Sequence, residues 1–375
     1  MSSASSEAAW PLTMLLRELR LKVRRELTLE LEKSGLWVGD NIYWESIRAR
    51  RIHGEALAET LVAGLLGRDD FWWLDGSNVF GTKKKPFRVS LPGVLSFGFD
   101  LGLGMAGGAM SDEGARLCAL FNLGITMFDA FCDVAPDGPR ELSTVVHPAA
   151  LAVLFHDSAA VDRLRGRAEA VKNFELRCVL KIVAGFFFEV QKLVGVAGDG
   201  AGLALEDVIQ RAYRAQMVCS TWTEQSSRAR LLEAISQKST LPFHVMAQIA
   251  ALGSELRPAT GDLASSIGEI FGLLDDLIDL PNDLLHGQAN SVVFEVQSDG
   301  CDEGPSASPQ ASALSLLTSE SVSHGARRVS AAVRKVLDHQ DPSSGLGLSI
   351  LVYARSLVAP PAEESDRQAV GNIHS

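Results

Sequence analysis

The chain has 375 residues, 46% of them hydrophobic, and a formal charge of −11 from 35 basic and 46 acidic side chains. That is enough apolar material for a large core, while the length alone allows one domain or two. The acidic balance, with no basic run longer than Lys83-Lys84-Lys85, argues against a nucleic-acid partner.

The helical period dominates from the start. Leu12, Leu15, Leu16, Leu19, Val23, Leu27 and Leu31 recur at steps of one, three and four, which puts them on one face of a helix beginning at Pro11. Ser34-Gly35 ends it, with Gly35 suited to a left-handed cap. Helical patterns continue over 43–67, 112–133, 160–195, 204–238, 243–256, 262–286, 312–338 and 345–358. Ser90 to Met110 is apolar, but its glycines and the central Asp100 fit a packed core helix better than a transmembrane segment. Alternating β patterns are scarce and no βαβ rhythm or repeat is present, so the expected class is all-α.

Gln297 to Pro309 reads as a surface loop, and 360–375 as a flexible polar tail, leaving 1–359 as one helical domain. Met1 to Ala9 carries no apolar signal core. Cys118, Cys132, Cys178, Cys219 and Cys301 are dispersed, odd in number and without metal-ligand spacing. They are expected to be reduced thiols in a cytoplasmic protein.

Two acidic clusters carry the chemistry. Asp129 and Asp133 are four residues apart in the apolar stretch Met127–Asp133, so their carboxylates share a helix face. Downstream, Phe271-Gly-Leu-Leu-Asp275-Asp276-Leu-Ile-Asp279-Leu-Pro281-Asn282-Asp283 places four carboxylates within an arc of about 100°. Like charges on one face repel, and anions near a helix C-terminus are unfavourable. A shared divalent cation explains such a density. Hard carboxylate oxygens with few histidines nearby point to Mg²⁺, which is commonly held by carboxylates together with substrate phosphates.

These residues resemble the trans-isoprenyl diphosphate synthases and their relatives, the class I terpene cyclases. Phe271 through Asp279 fits the synthases' second aspartate-rich motif, Phe-x-x-x-Asp-Asp-x-x-Asp, followed by Asp283 and Gly287. Gln237-Lys238-Ser239-Thr240-Leu241 is similar to the family's Lys-Thr segment, whose lysine contacts diphosphate. Gly81-Thr82-Lys83-Lys84-Lys85-Pro86 is similar to its Gly-Gly-Lys-Arg segment. The likeness covers about residues 40 to 355. It implies a single large helical bundle of the isoprenoid synthase type around a central prenyl cavity, and a polyprenyl-synthetase-like site. In that site Asp129, Asp133, Asp275, Asp279 and Asp283 hold Mg²⁺, with Asp276 also catalytic. Lys83, Lys84, Lys238 and Arg140 bind diphosphate.

The chain also departs from the pattern. Ala130 replaces the second acid of the first motif, and Arg140 stands alone where the synthases carry two arginines. The later cyclase motif begins at Asn282-Asp283, but His286 and Asn290 occupy its Ser and Glu places. The expected activity is therefore that of a class I terpene synthase, a lyase in isoprenoid biosynthesis that ionises an allylic prenyl diphosphate and cyclises the cation. The alternatives are a chain-elongating prenyltransferase, or a weakly catalytic subunit of one. A homodimer is a further expectation. Phe121, Gly124, Ile125, Phe128 and Phe271 are expected to line the cavity. Gly124 and Ile125, one turn from Asp129, carry no aromatic ring, so the cavity is expected to accept tails of fifteen to twenty carbons or longer.

Overall fold

The computed structural model describes residues 11–71, 90–108, 110–135, 137–197, 199–221, 227–254, 261–298, 308–338 and 345–358. The described residues are helical and include no strand, only an isolated bridge between Met110 and Ser254. The chain is all-α. In order, the helices are α1 (Leu12–Lys33), α2 (Asp40–Leu57), α3 (Ala63–Leu66), α4 (Leu91–Met105), α5 (Asp112–Val134), α6 (Gly138–Ser143), α7 (Pro148–His156), α8 (Ser158–Ala170), α9 (Phe174–Ala197), α10 (Asp199–Ser220), α11 (Arg228–Leu252), α12 (Gly261–His286), α13 (Ser291–Ser298), α14 (Pro309–Thr318), α15 (Ser321–Leu337) and α16 (Gly345–Val358), with a π turn, Ala58–Val62, joining α2 to α3.

The first helix follows its leucine stripe. Leu15, Leu16, Leu19, Val23, Leu27 and Leu31 are buried, and Gly35 ends the helix with φ of +67°. The apolar 90–110 stretch forms α4, started by the Ser90 hydroxyl accepting from Gly93 N, and Asp100 within it pairs with Arg50 at 2.7 Å. Among the described residues one helix, α5, is long and apolar enough to cross a membrane, and most of it is buried by neighbouring helices.

Several expected boundaries shift, each for a local reason. The 160–195 pattern divides at 171–173 because the Asn173 side chain accepts from Leu176 N and starts a new helix, α9. The 312–338 pattern divides because Lys22 of α1 donates to the carbonyls of Leu316, Leu317 and Ser319 and satisfies the end of α14. The 204–238 pattern ends early, at Ser220. The expected gap between 238 and 243 is closed: α11 runs through Pro242, as α12 runs through Pro281. Each proline deletes an N–H, so the carbonyls of Lys238 and Leu277 lose their helical partners, both close to the acidic clusters.

α11 and α12 lie unusually close. A side chain's first carbon at Gly268 would fall 2.6 Å from Thr240 Cα, and one at Gly272 would fall 2.5 Å from Ser239 Cβ. The two glycines are one turn apart on α12, so they present a flat strip to α11. That contact brings Lys238 of α11 beside the acidic end of α12.

Candidate functional site

Asp129 and Asp133 occupy the last turns of α5. Asp129 Oδ1 accepts from Lys238 Nζ at 2.9 Å and from Gln216 Nε2 at 2.6 Å. Three helices, α5, α10 and α11, thus meet at one carboxylate oxygen. Desolvation opposes the Lys238 charge, but Asp129, Asp133 and Asp275 outweigh it and hold the ammonium well above its usual range. The same lysine therefore senses both acidic clusters. Desolvation, reinforced by Asp129 and Asp275, pushes the Asp133 carboxyl up to about 6, with Lys238 pulling the other way.

The α12 acids fall into two groups. Asp276 and Asp283 are tied down by the start of α13. The backbone N–H of Ser291 donates to Asp276 Oδ2 at 3.2 Å, and the Ser291 hydroxyl donates to the same oxygen. The fully buried Asn290 amide donates to Asp283 Oδ2 and to the Asp276 carbonyl, both at 2.7 Å. Desolvation dominates both carboxyls and pushes Asp276 up to about 6 and Asp283 up to about 7. Neighbouring aspartates push the same way. Asp275 stands exposed and acts electrostatically on Lys238 and Asp133, while Asp279 is half-buried and raises the Asp283 value.

An apolar pocket opens beside this cluster. Leu120, Phe121, Gly124, Ile125 and Phe128 of α5 line it, with Phe186 and Phe187 of α9 and Tyr213 of α10 among its other walls. Gln216 and Lys238 are its polar residues near Asp129, and Pro242 also borders it. The Tyr213 hydroxyl is occupied by the Val146 carbonyl and its ring meets Phe128 edge-on, so an aromatic face, rather than a donor, is what it offers. The cavity measures about 120 Å³. Ligand clefts are usually roughly 300–1,000 Å³. A tail of fifteen or more carbons would enter only by parting the pocket walls.

Two expected residues lie elsewhere. Phe271 does not line the pocket: it packs in the core, 4.9 Å from the Phe97 ring and stacked on Phe243 at 5.7 Å. One turn before Asp275, Phe271 fills the contact between α12, Phe97 of α4 and Phe243 of α11. Arg140 is exposed on the short α6 and does not border the pocket. Lys83, Lys84 and Lys85, together with Cys301, lie outside the described residues. His244 bonds to Ser265 and the exposed His286 to the Asn282 carbonyl, and neither lines the pocket.

Mg²⁺ is the group implied by the resemblance. Among the described residues no three His, Cys, Asp or Glu side chains converge on one point as a ready-made metal cage. The donor set is nonetheless of the right chemistry. Carboxylate oxygens whose ionisation is opposed by burial and by one another are stabilised by an added cation, and Mg²⁺ needs only one or two of them when ligand phosphates and waters fill the remaining positions.

Sequence reasoning missed Gln216, Asn290 and Ser291 as partners of the acids. Gln216 lies one turn after Ala212 and Tyr213 on the pocket face of α10, a polar residue at an apolar register. That register was the signal available. No family model matches the chain, and no curated protein or solved structure matches it.

Proposed function

We propose that the chain is a class I terpene-synthase-like enzyme that releases diphosphate from an allylic prenyl substrate. The observation that carries this reading is the Lys238–Asp129 pair at the edge of an aromatic-lined pocket, with Asp133 and Asp275 within electrostatic reach. A cation-stabilising acid cluster beside an apolar cavity suits a substrate with a doubly charged head and a hydrocarbon tail.

Asp129, Asp133, Asp275 and Asp279 would hold Mg²⁺, with Asp276 and Asp283 fixed behind them by Ser291 and Asn290. When bound, Mg²⁺ neutralises charge on the departing diphosphate. Lys238 supplies a positive ammonium where negative charge develops on the leaving oxygen. The tail lies along α5, where the rings of Phe121, Phe128, Phe186, Phe187 and Tyr213 offer faces to an allylic cation. Those same walls exclude water, so the substrate's own double bonds compete for the cation. The exposed position of Arg140, away from the pocket, favours cyclisation over elongation, because among the described residues Lys238 is the only basic one that lines the pocket.

The test is incubation of purified full-length protein with Mg²⁺ and ten-, fifteen- and twenty-carbon prenyl diphosphates, with and without isopentenyl diphosphate. Hydrocarbon or alcohol products with inorganic diphosphate are expected. A longer diphosphate product would make the chain an elongating synthase. No diphosphate release from any substrate would overturn the enzymatic reading.

A further inference from the structure

Asp129 Oδ1 has two donors of different kinds. Lys238 brings a charged ammonium and Gln216 a neutral amide. Gln216 Nε2 also donates to Ser220 Oγ at 3.2 Å, one turn along α10. The orientation of the amide follows from its neighbour: an ionised carboxylate only accepts, so the NH₂ side must face Asp129. Gln216 is half-buried and borders the pocket, as Lys238 does.

The two donors respond differently to an incoming anion. A lysine ammonium is a compact charge on a flexible stem. Phosphate oxygens, with more negative charge than one carboxylate, draw it away from Asp129. The Gln216 amide carries no net charge and is held by Ser220, so it stays. Without it, Asp129 would keep no protein donor once Lys238 leaves, and with Asp133 and Asp275 nearby its carboxylate would no longer be held in a fixed orientation toward the Mg²⁺ it would bind.

We propose that Gln216 is a positioning residue that keeps Asp129 in place while Lys238 transfers from Asp129 to the phosphates of the ligand. This rests on the diphosphate reading above and deepens it. In the ligand-free protein Lys238 and Gln216 share Asp129 Oδ1, and in the liganded protein Gln216 is the donor that stays on it and holds the carboxylate in the orientation in which it would meet Mg²⁺.

The test is calorimetric titration of inorganic pyrophosphate into the full-length chain in the presence of Mg²⁺. Gln216→Met keeps the length of the side chain and removes the donor. It is expected to weaken Mg²⁺–pyrophosphate binding by about tenfold, the scale of one charge-assisted hydrogen bond, with the ligand-free thermal midpoint unchanged. Gln216→Glu, which faces Asp129 with a like charge, is expected to weaken it further. A crystal structure of the wild-type complex is expected to show Lys238 on a phosphate oxygen and Gln216 still on Asp129. Wild-type affinity in Gln216→Met, or Lys238 still on Asp129 in the complex, overturns the inference and leaves the proposed function standing. Equal loss of ligand-free stability and affinity in Gln216→Met also overturns it, because it marks a packing role. If the wild type neither binds Mg²⁺–pyrophosphate nor releases diphosphate from prenyl substrates, the proposed function falls and this inference falls with it.

Discussion

Lys181 and Lys238 are both set among carboxylates, yet their surroundings are built on opposite principles. Lys181 donates to Asp70 and Glu169, each at 3.0 Å, and to the Leu66 carbonyl, while Arg177 grips both oxygens of Asp70. Two acids meet two bases, and the Arg177 hydrogen bond holds the Asp70 carboxyl below its usual range despite its desolvation. Around Lys238 the acids Asp129, Asp133 and Asp275 all act on one ammonium, and the Asp133 carboxyl is pushed up rather than down. The cleft over Lys181 is the larger of the two, about 820 Å³ against about 120 Å³. Size does not decide which is the site. In the first cluster the acids are matched by Arg177 and Lys181, and in the second burial and neighbouring acids oppose the ionisation of Asp133.

Substitutions at the two lysines should therefore fail in different assays. Asp275→Ala and Lys238→Met are expected to lower Mg²⁺-dependent diphosphate release by about 10²–10³-fold, the scale of removing one preorganised electrostatic group. Far-ultraviolet circular dichroism should remain that of the wild type. Near-normal turnover in both variants would remove the second cluster from the chemistry.

Lys181→Met should act on the fold instead. Removing one partner of a buried ion pair costs about 3 kcal/mol, and denaturant melts should show that loss while turnover per folded molecule is kept. An unchanged melt would mean that Arg177 alone neutralises Asp70.

The contrast also has a pH signature. In the metal-free protein the folded-state values of Asp133, Asp276 and Asp283 lie above the ordinary carboxylate value, at about 6, 6 and 7. The folded state then binds more protons than the unfolded chain between about pH 4 and 7, so the contribution of these groups falls as pH rises through that window. Asp70 is shifted the other way, and its contribution is lost only as pH falls through its lowered folded value. The thermal midpoint in EDTA is expected to be higher at pH 5 than at pH 7, and Asp283→Asn is expected to flatten the difference. A midpoint rising steadily from pH 5 to 7 in both proteins would contradict this charge assignment.

The smallest expected effect concerns the pocket floor. A methyl group at Gly124 would sit 3.6 Å from Ile182 Cγ2, an ordinary contact. Gly124→Ala should raise stability by up to about 1 kcal/mol through helix propensity, while slowing the longest accepted substrate more than the shortest. Equal slowing of all substrates would place the tail elsewhere.

The all-α class, the leucine face of α1 and the positions of both acidic clusters were legible because each rests on a local repeat or a local density of charge. The Lys238–Asp129 contact was less so, since it joins positions more than a hundred residues apart. The expected break between the 204–238 and 243–256 patterns was misplaced: α11 runs unbroken through Pro242, packed against α12. The division of the α12 acids was hidden for a different reason. Periodicity places Asp275, Asp276, Asp279 and Asp283 on one face, but it is Ser291 and Asn290, beyond the end of the helix, that hold Asp276 and Asp283. Phe271 shows the limit of a motif's first letter, which marks register but not direction.

The glycine strip between α11 and α12 has a further consequence. Because Gly268 meets the Thr240 and Ser239 backbone and Gly272 meets the short Ser239 side chain with almost no clearance, the gap between the lysine-bearing helix and the acid-bearing helix is set at these two glycines. Long side chains can repack around a lost methyl group; a glycine against backbone or against a serine Cβ has no flexible atoms to give way. The strip works as a spacer of minimum thickness, so any larger residue at either position lengthens the reach from Lys238 to Asp275, and the spacing of opposite charges at the pocket edge is set by two residues that carry no charge themselves.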